Sequence, residues 1–369
     1  MTDEPTFVSD IRLERSSGMR DLTDELAGNL ERVGVQGVLG RLNRAAEACA
    51  VPGHAAVEGF AWSKGDRRNL EWWPQGITWA DSPETGGVEG RSVLVASWYA
   101  KKGGGRVGKG CRVSFVDYTD PLRPRYRHVL LVEPFRDDES GEVDYRPVQI
   151  HAGGIVWFGG YLYVAGTRGG IRVFELEDLI AVPGGVDDRD LIGRQDDGHY
   201  TAYGYAFVLP QSFTYTAWAT EGFEQLRYSF LSMDRTGDAP HLIAGEYGRD
   251  GATTRLTRYA FDDGSKLLST REDGYAWPRE LIADQVDRMQ GATLVRGTYV
   301  ITSSQGRTSR GDMYVGPQGA LTRHRGVLPI GPEDITYWST RRQLWSLTEW
   351  PTRRWVYGMD ARRWVPGLA

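Results

Sequence analysis

Four segments of the chain begin with a short polar or glycine-rich lead-in and run into a β-rich stretch. This internal repetition limits the fold more than any other feature. The segments are Pro74-Gln75-Gly76-Ile77-Thr78-Trp79, Ala152-Gly153-Gly154-Ile155-Val156-Trp157, Met289-Gln290-Gly291-Ala292-Thr293-Leu294 and Pro332-Glu333-Asp334-Ile335-Thr336-Tyr337. A second β-run follows each, at residues 92–99, 161–167, 298–305 and 343–350, and then a third at 111–118, 170–176, 312–316 and 354–360. A divergent unit with runs at 226–233, 241–247 and 255–261 lies between the second and third of these. Units recurring at intervals of roughly 35 to 80 residues, each a small sheet unable to bury both faces alone, predict radial stacking. The expectation is an all-β, five-bladed β-propeller. Fourth strands are expected at 126–133 and 202–209. The last unit runs out of chain after its third strand, so residues 57–63 are expected to supply its outer strand and close the ring. The competing arrangements are a β-sandwich and a six-bladed ring with one more unit around 199–219.

Ahead of the repeats, apolar residues recur at helical spacing: Met19, Leu22, Leu26, Leu30 and Val33, then Val38, Leu39, Leu42 and Ala46. Gly34, Gly37 and Gly40 divide them into two helices. The chain therefore reads as a short helical N-terminal extension, residues 1–53, followed by the propeller, residues 54–369. Shorter helical stretches are expected near 176–182 and 280–288. The 47 Gly, 13 Trp and 18 Tyr suit many short strands joined by tight turns and packed with aromatic rings.

A net charge of -5 offers no electrostatic footprint for nucleic acid. No apolar run is long enough to span a membrane, and residues 1–20 hold no signal-peptide core. The compartment expected is the cytoplasm, with export as the alternative if a leader has been removed. Cys49 and Cys111 are expected as two reduced thiols.

The stretch HAGGIVWFGGYLYVAGTRGGIRVFEL, residues 151–176, resembles the repeats of bacterial LVIVD-type propellers, whose "YLYVA…GG-RVF" hairpin forms the second and third strands of a blade. The match covers one unit well and the others loosely. The whole chain is similar to uncharacterised actinobacterial propeller proteins, which are often exported. The resemblance implies a propeller but brings no chemistry with it.

In a propeller the lead-ins to the innermost strands line one mouth of the central channel, the concave place where a ligand sits. Gln75, His151, Gln290, Glu333 and Asp334 are expected there. Equivalent ends of second strands add Glu246 and Glu349, with Trp98, Tyr99, Tyr247 and Trp350 beside them. Paired carboxylates near an axis can be driven to different pKa values and divide acid and base work, although neighbours on a strand face opposite ways. The catalytic candidates are Glu333 or Asp334 with His151. The binding candidates are Gln75 and Gln290, which orient polar groups, and the aromatic walls with Glu246 and Glu349.

The sequence contains no HExxH, no zinc spacing, no GxSxG and no dinucleotide fingerprint after a strand. Residues 103–109 match only the first part of a P-loop. No redox cofactor is expected, while a calcium ion in the channel is compatible with clustered oxygens. The functional expectation is a cofactor-independent acid–base enzyme with aromatic walls acting on a small organic substrate, a cyclase or lyase of secondary metabolism. The alternatives are a glycoside-active enzyme and a non-catalytic propeller that binds a glycan or a protein. Oligomeric state is not legible.

Overall fold

The computed structural model describes residues 8–80, 88–101, 108–183, 188–237 and 239–368. Most of the lead-in repeats open innermost strands. Trp72–Trp79, Val93–Ala100, Cys111–Asp117 and Arg125–Arg136 run antiparallel from the centre outward. The next sheet is built from Ile155–Phe158, Tyr161–Ala165, Ile171–Glu175 and Phe213–Ala219. Phe230–Asp234, His241–Gly245, Leu256–Ala260 and Glu280–Ile282 form the third sheet. Met289–Val295, Thr298–Ser303, Asp312–Gly316 and Thr322–His324 form the fourth. The last begins with Pro332–Trp338, Gln343–Thr348 and Trp355–Asp360. Ala56–Ala61 then pairs with Trp355–Asp360, so the start of the chain adds an outer strand to the final sheet. Innermost strands of successive sheets touch one another in a closed circuit, and Pro332–Trp338 meets Trp72–Trp79 to complete it.

The molecule is an all-β propeller, but the expected five blades with a helical extension are not what the chain forms. Among the described residues, four sheets have the four or five strands of a blade, while the sheet that starts at Trp72–Trp79 has nine. This composite sheet grows because Phe207–Pro210 adds to Arg125–Arg136 in parallel, bringing Ile180–Ala181 and Glu31–Arg32 with it. Residues 202–209 are therefore not the fourth strand of their own unit. All four side chains of Phe207–Pro210 are buried, and such a strand gains most where both its faces are covered. Phe213–Ala219 takes the fourth position instead.

The first 53 residues are not simply helical either. Arg20–Asn29 and Gly34–Leu39 are helices, and the third described α-helix, Lys64–Arg68, lies beyond them. Ile11–Arg15 pairs along Phe213–Ala219, Arg44–Ala45 along Arg125–Arg136, and Glu47–Ala48 along Ala56–Ala61. Exposed sheet edges with unpaired N–H and C=O groups attract added strands, and here the chain's own N-terminal segment supplies these three strands besides Glu31–Arg32. The stretch near 176–182 holds a 3₁₀ turn, Leu176–Asp178, and the strand Ile180–Ala181, and that near 280–288 holds the strand Glu280–Ile282, rather than α-helices.

Apolar side chains fill the wedges between neighbouring sheets. Between the last and the composite sheets the fully buried Trp62 lies edge-on to Trp98 and Tyr126, with ring centroids 4.9 Å apart in both pairs. Such pairs add roughly 0.5–1.5 kcal/mol beyond area burial. Tight hairpins need positive φ at their central residues, as at Arg296 and Gly297 with φ of 49° and 76°. Cys49 and Cys111 are free thiols, and Cys111 is buried. No described helix is long and apolar enough to cross a membrane.

Candidate functional site

The lead-in glycines stand where innermost strands crowd together at the axis. A Cβ on Gly76 would lie 2.8 Å from Gly154 Cα, one on Gly154 only 2.0 Å from the Leu231 nitrogen, and one on Gly291 2.7 Å from Asp334 Cα. Glycine is the residue that lets backbones approach this closely. In the last repeat the corresponding position is Asp334, and it is fully buried. Its carboxylate accepts from the Ile77 N–H at 3.1 Å. The N–H groups of Ile335 and Ile155 also face it; burial nevertheless raises its pKa well above the ordinary carboxylate value.

The residue before each of these positions faces a cavity of about 460 Å³ at the mouth of the channel. The register of the innermost strands shifts between Pro74 and Ile77, between Met289 and Gly291, and between Pro332 and Ile335. A β-bulge re-aims side chains, and these three turn Gln75, Gln290 and Glu333 toward the cavity. Glu333 and Asp334 therefore part company: Glu333 lines the cavity and Asp334 ties the ring together beneath it.

Glu349, at the end of a second strand, faces the same cavity. Burial raises its carboxyl to about 7, although Lys101, Arg354 and Arg307 favour the anion and Gln75 hydrogen-bonds to it. Glu333 is only 3% exposed. Its carboxyl is pushed well above the ordinary range by burial, then by the neighbouring charges of Glu349 and Asp334. Gln290 Nε2 lies 3.4 Å from Glu333 Oε1. Two acids that share a site cannot both ionise freely, so the pair takes up and releases protons as a unit.

His151 lines the cavity with its ring against Tyr99, centroids 4.3 Å apart. Its surroundings lower its pKa by desolvation, although the residue remains exposed to solvent. Tyr247 contributes an aromatic surface to the lining. Tyr99 stands behind His151 in an adjoining cavity, and burial together with Glu349 and Glu333 raises its phenol to about 12.

Three other candidates lie outside this lining. Trp98 is fully buried between sheets and donates its indole N–H to Ser114 Oγ at 2.7 Å. Trp350 packs edge-on against Trp73 at 5.4 Å. Glu246 is fully buried and bidentate to Arg255, with both contacts at 2.8 Å.

Sequence reasoning missed Gly153, Thr167, Arg227 and Ser229, all of which line the cavity. Thr167 follows the second strand Tyr161–Ala165 and exchanges both backbone hydrogen bonds with Tyr228. The second-strand rule that selected Glu349 would have found it. Ser229 immediately precedes the innermost strand of the divergent unit, whose lead-in carries no glycine to mark it.

Among the described residues, the acids close enough together to hold a cation are Glu175, Glu177 and Asp178. They lie outside the cavity lining and pair with Arg20. Residues 102–107, most of the partial P-loop match, are outside the described residues.

No protein-family profile and no curated protein matches the chain. Solved structures do. A gluconolactonase of Xanthomonas campestris is 13% identical with a TM-score of 0.39, covering 86% of this chain and 88% of that one. A GH43_1 enzyme of Xanthomonas citri is 13% identical at a TM-score of 0.34, with 92% of each chain covered. The Dos1 propeller is 8% identical at a TM-score of 0.31, covering 78% of this chain and 71% of its own. Likenesses this distant carry no argument about chemistry.

Proposed function

We propose that the chain is a cofactor-independent acid–base enzyme acting on a small polyhydroxylated substrate, a glycoside or a related sugar derivative, in the cavity at the channel mouth. The observation that carries this reading is the pair Glu333 and Glu349, which share one cavity and are both raised by burial, Glu333 further by neighbouring carboxylates while nearby cations draw Glu349 back down. Glu333, whose carboxyl burial pushes well above the ordinary range, can donate a proton to a leaving oxygen. Glu349, near 7 and faced by three cations, is available as a base toward water. Gln75 and Gln290 orient the two carboxyls, and His151, its pKa lowered by desolvation, lines the same cavity and can offer a hydrogen bond. Hydrolysis then balances: the proton leaves Glu333 for the departing oxygen, and Glu349 takes one from the attacking water.

The cyclase or lyase reading rested on aromatic walls able to stabilise a cation. With Trp98 and Trp350 outside the lining and Tyr247 the aromatic residue within it, that reading has less support than one built on polar groups.

A panel of aryl glycosides and sugar lactones tests the proposal directly. Glu333→Gln and Glu349→Gln should each lower kcat/KM by about 10²- to 10⁴-fold while melting temperatures hold. Turnover unchanged in both variants would remove the pair from the chemistry. Binding of sugars with no turnover of any would leave a glycan-binding propeller instead.

A further inference from the structure

A second cleft, about 480 Å³ in volume, shares no lining residue with the central cavity. It lies against the composite sheet beside the loop that precedes Phe207–Pro210. Arg44, Lys109, Arg127 and Arg189 line it, and among the described residues no acid does. The nearby carboxylate, Asp66, is already engaged. Arg112 Nη2 lies 3.2 Å from its Oδ1, His128 Nε2 3.1 Å, and Arg44 Nη1 3.6 Å from Oδ2. The Tyr126 hydroxyl donates to Asp66 as well.

The cations are crowded together. Burial lowers the pKa of Arg127, and the charges of Arg44 and Arg41 lower it further. His128, held down to about 3 by burial and by Arg112, is neutral and adds no charge of its own at neutral pH. Positive groups gathered in a cleft without an acid in its walls attract an anion, and guanidinium forks match phosphate oxygens in geometry as well as charge. Trp72, Tyr203 and Tyr205 supply the remaining wall, with Trp72 and Tyr205 edge-on at 6.0 Å.

We propose that this cleft binds a small organic phosphate that carries a flat ring: the phosphoryl group faces Arg44 and Arg127, and the ring lies against Trp72 and the tyrosines. A single carboxylate would leave most of the cations uncompensated, whereas a phosphate dianion offers more charge and several acceptor oxygens. The volume suits one small molecule. The site stands independently of the acid–base reading of the central cavity.

Calorimetric titration of the whole protein with phenyl phosphate, inorganic phosphate and phenol tests the proposal. Phenyl phosphate should bind more tightly than either fragment. Arg44→Gln and Arg127→Gln should each weaken it roughly tenfold or more, as expected for loss of one charge-assisted contact. Lys109→Gln, on a partly exposed side chain, provides a third variant should either of these fail to fold. Glu349→Gln should leave the affinity unchanged. No heat with phenyl phosphate, or equal affinity in the folded cleft variants, overturns the site. Inorganic phosphate binding as tightly as phenyl phosphate overturns the role of the ring.

Discussion

Asp334 Oδ2 accepts a hydrogen bond from the backbone N–H of Ile77 at 3.1 Å, joining the innermost strand of the last sheet to the adjacent innermost strand of the first. It makes this bond from the position that glycine holds in the other three lead-ins. One substitution within a repeat thus becomes a tie between neighbouring sheets where the ring closes, and Glu333 is left free to face the cavity.

Replacing Asp334 by Ala should leave the Ile77 N–H buried and unpaired. A lost partner of this kind costs about 1–3 kcal/mol. Urea denaturation of the variant should show that loss, and an unchanged midpoint would mean the contact contributes nothing.

Gly154→Ala should be far worse. Its Cβ would fall 2.0 Å from the Leu231 nitrogen and 2.6 Å from Phe230 Cα, both backbone atoms. Backbone cannot step aside as a flexible side chain can, so the expected result is insoluble or unfolded protein. A folded variant with native far-UV dichroism would contradict the close approach.

Glu246→Gln separates structure from chemistry. The buried Arg255 would lose its bidentate partner, and breaking a buried ion pair costs about 3–5 kcal/mol. Turnover per folded molecule should remain as in the wild type, which a parallel assay and thermal melt would show. A selective loss of kcat would instead place Glu246 in the reaction.

The pH dependence of stability follows from the sign of each shift. Glu349 has a folded pKa of about 7 against an ordinary 4.5, so between these values the folded state binds more protons than the unfolded one. Stability from this group therefore falls as pH rises through that window. His128 acts oppositely: its folded pKa of about 3 against 6.5 makes stability fall as pH drops below 6.5. Comparing chemical denaturation of wild type and Glu349→Gln across the window isolates the first effect. The variant should lose less stability on going from low to neutral pH, and identical slopes would refute the raised carboxyl.

Local chemistry made much of the architecture readable. The lead-ins Gln75-Gly76, Gly153-Gly154, Gln290-Gly291 and Glu333-Asp334 mark the innermost strands because crowding at the axis demands glycine and the channel mouth tolerates polar groups. Alternation located the second and third strands, and the short last unit pointed to a partner strand near residue 57, where Ala56–Ala61 now lies. The helical spacing from Met19 to Leu30 matched Arg20–Asn29. Beyond Leu39 the same apolar periodicity misled, because edges waiting to be covered turned Arg44–Ala45 and Glu47–Ala48 into strands.

The sequence by itself determined the repeat, the all-β character and the lead-ins that carry Gln75, Gln290 and Glu333, since each depends on neighbours a few positions away. The tertiary structure alone decided that one sheet would grow to nine strands through the parallel Phe207–Pro210. It also separated Glu333 from Asp334 through a bulge, buried Glu246 and Trp98 away from the cavity, and gathered Arg44, Lys109, Arg127 and Arg189 around one cleft. Those outcomes depend on which distant surfaces compete for the same burial and the same charges, and that competition is settled only when the ring closes.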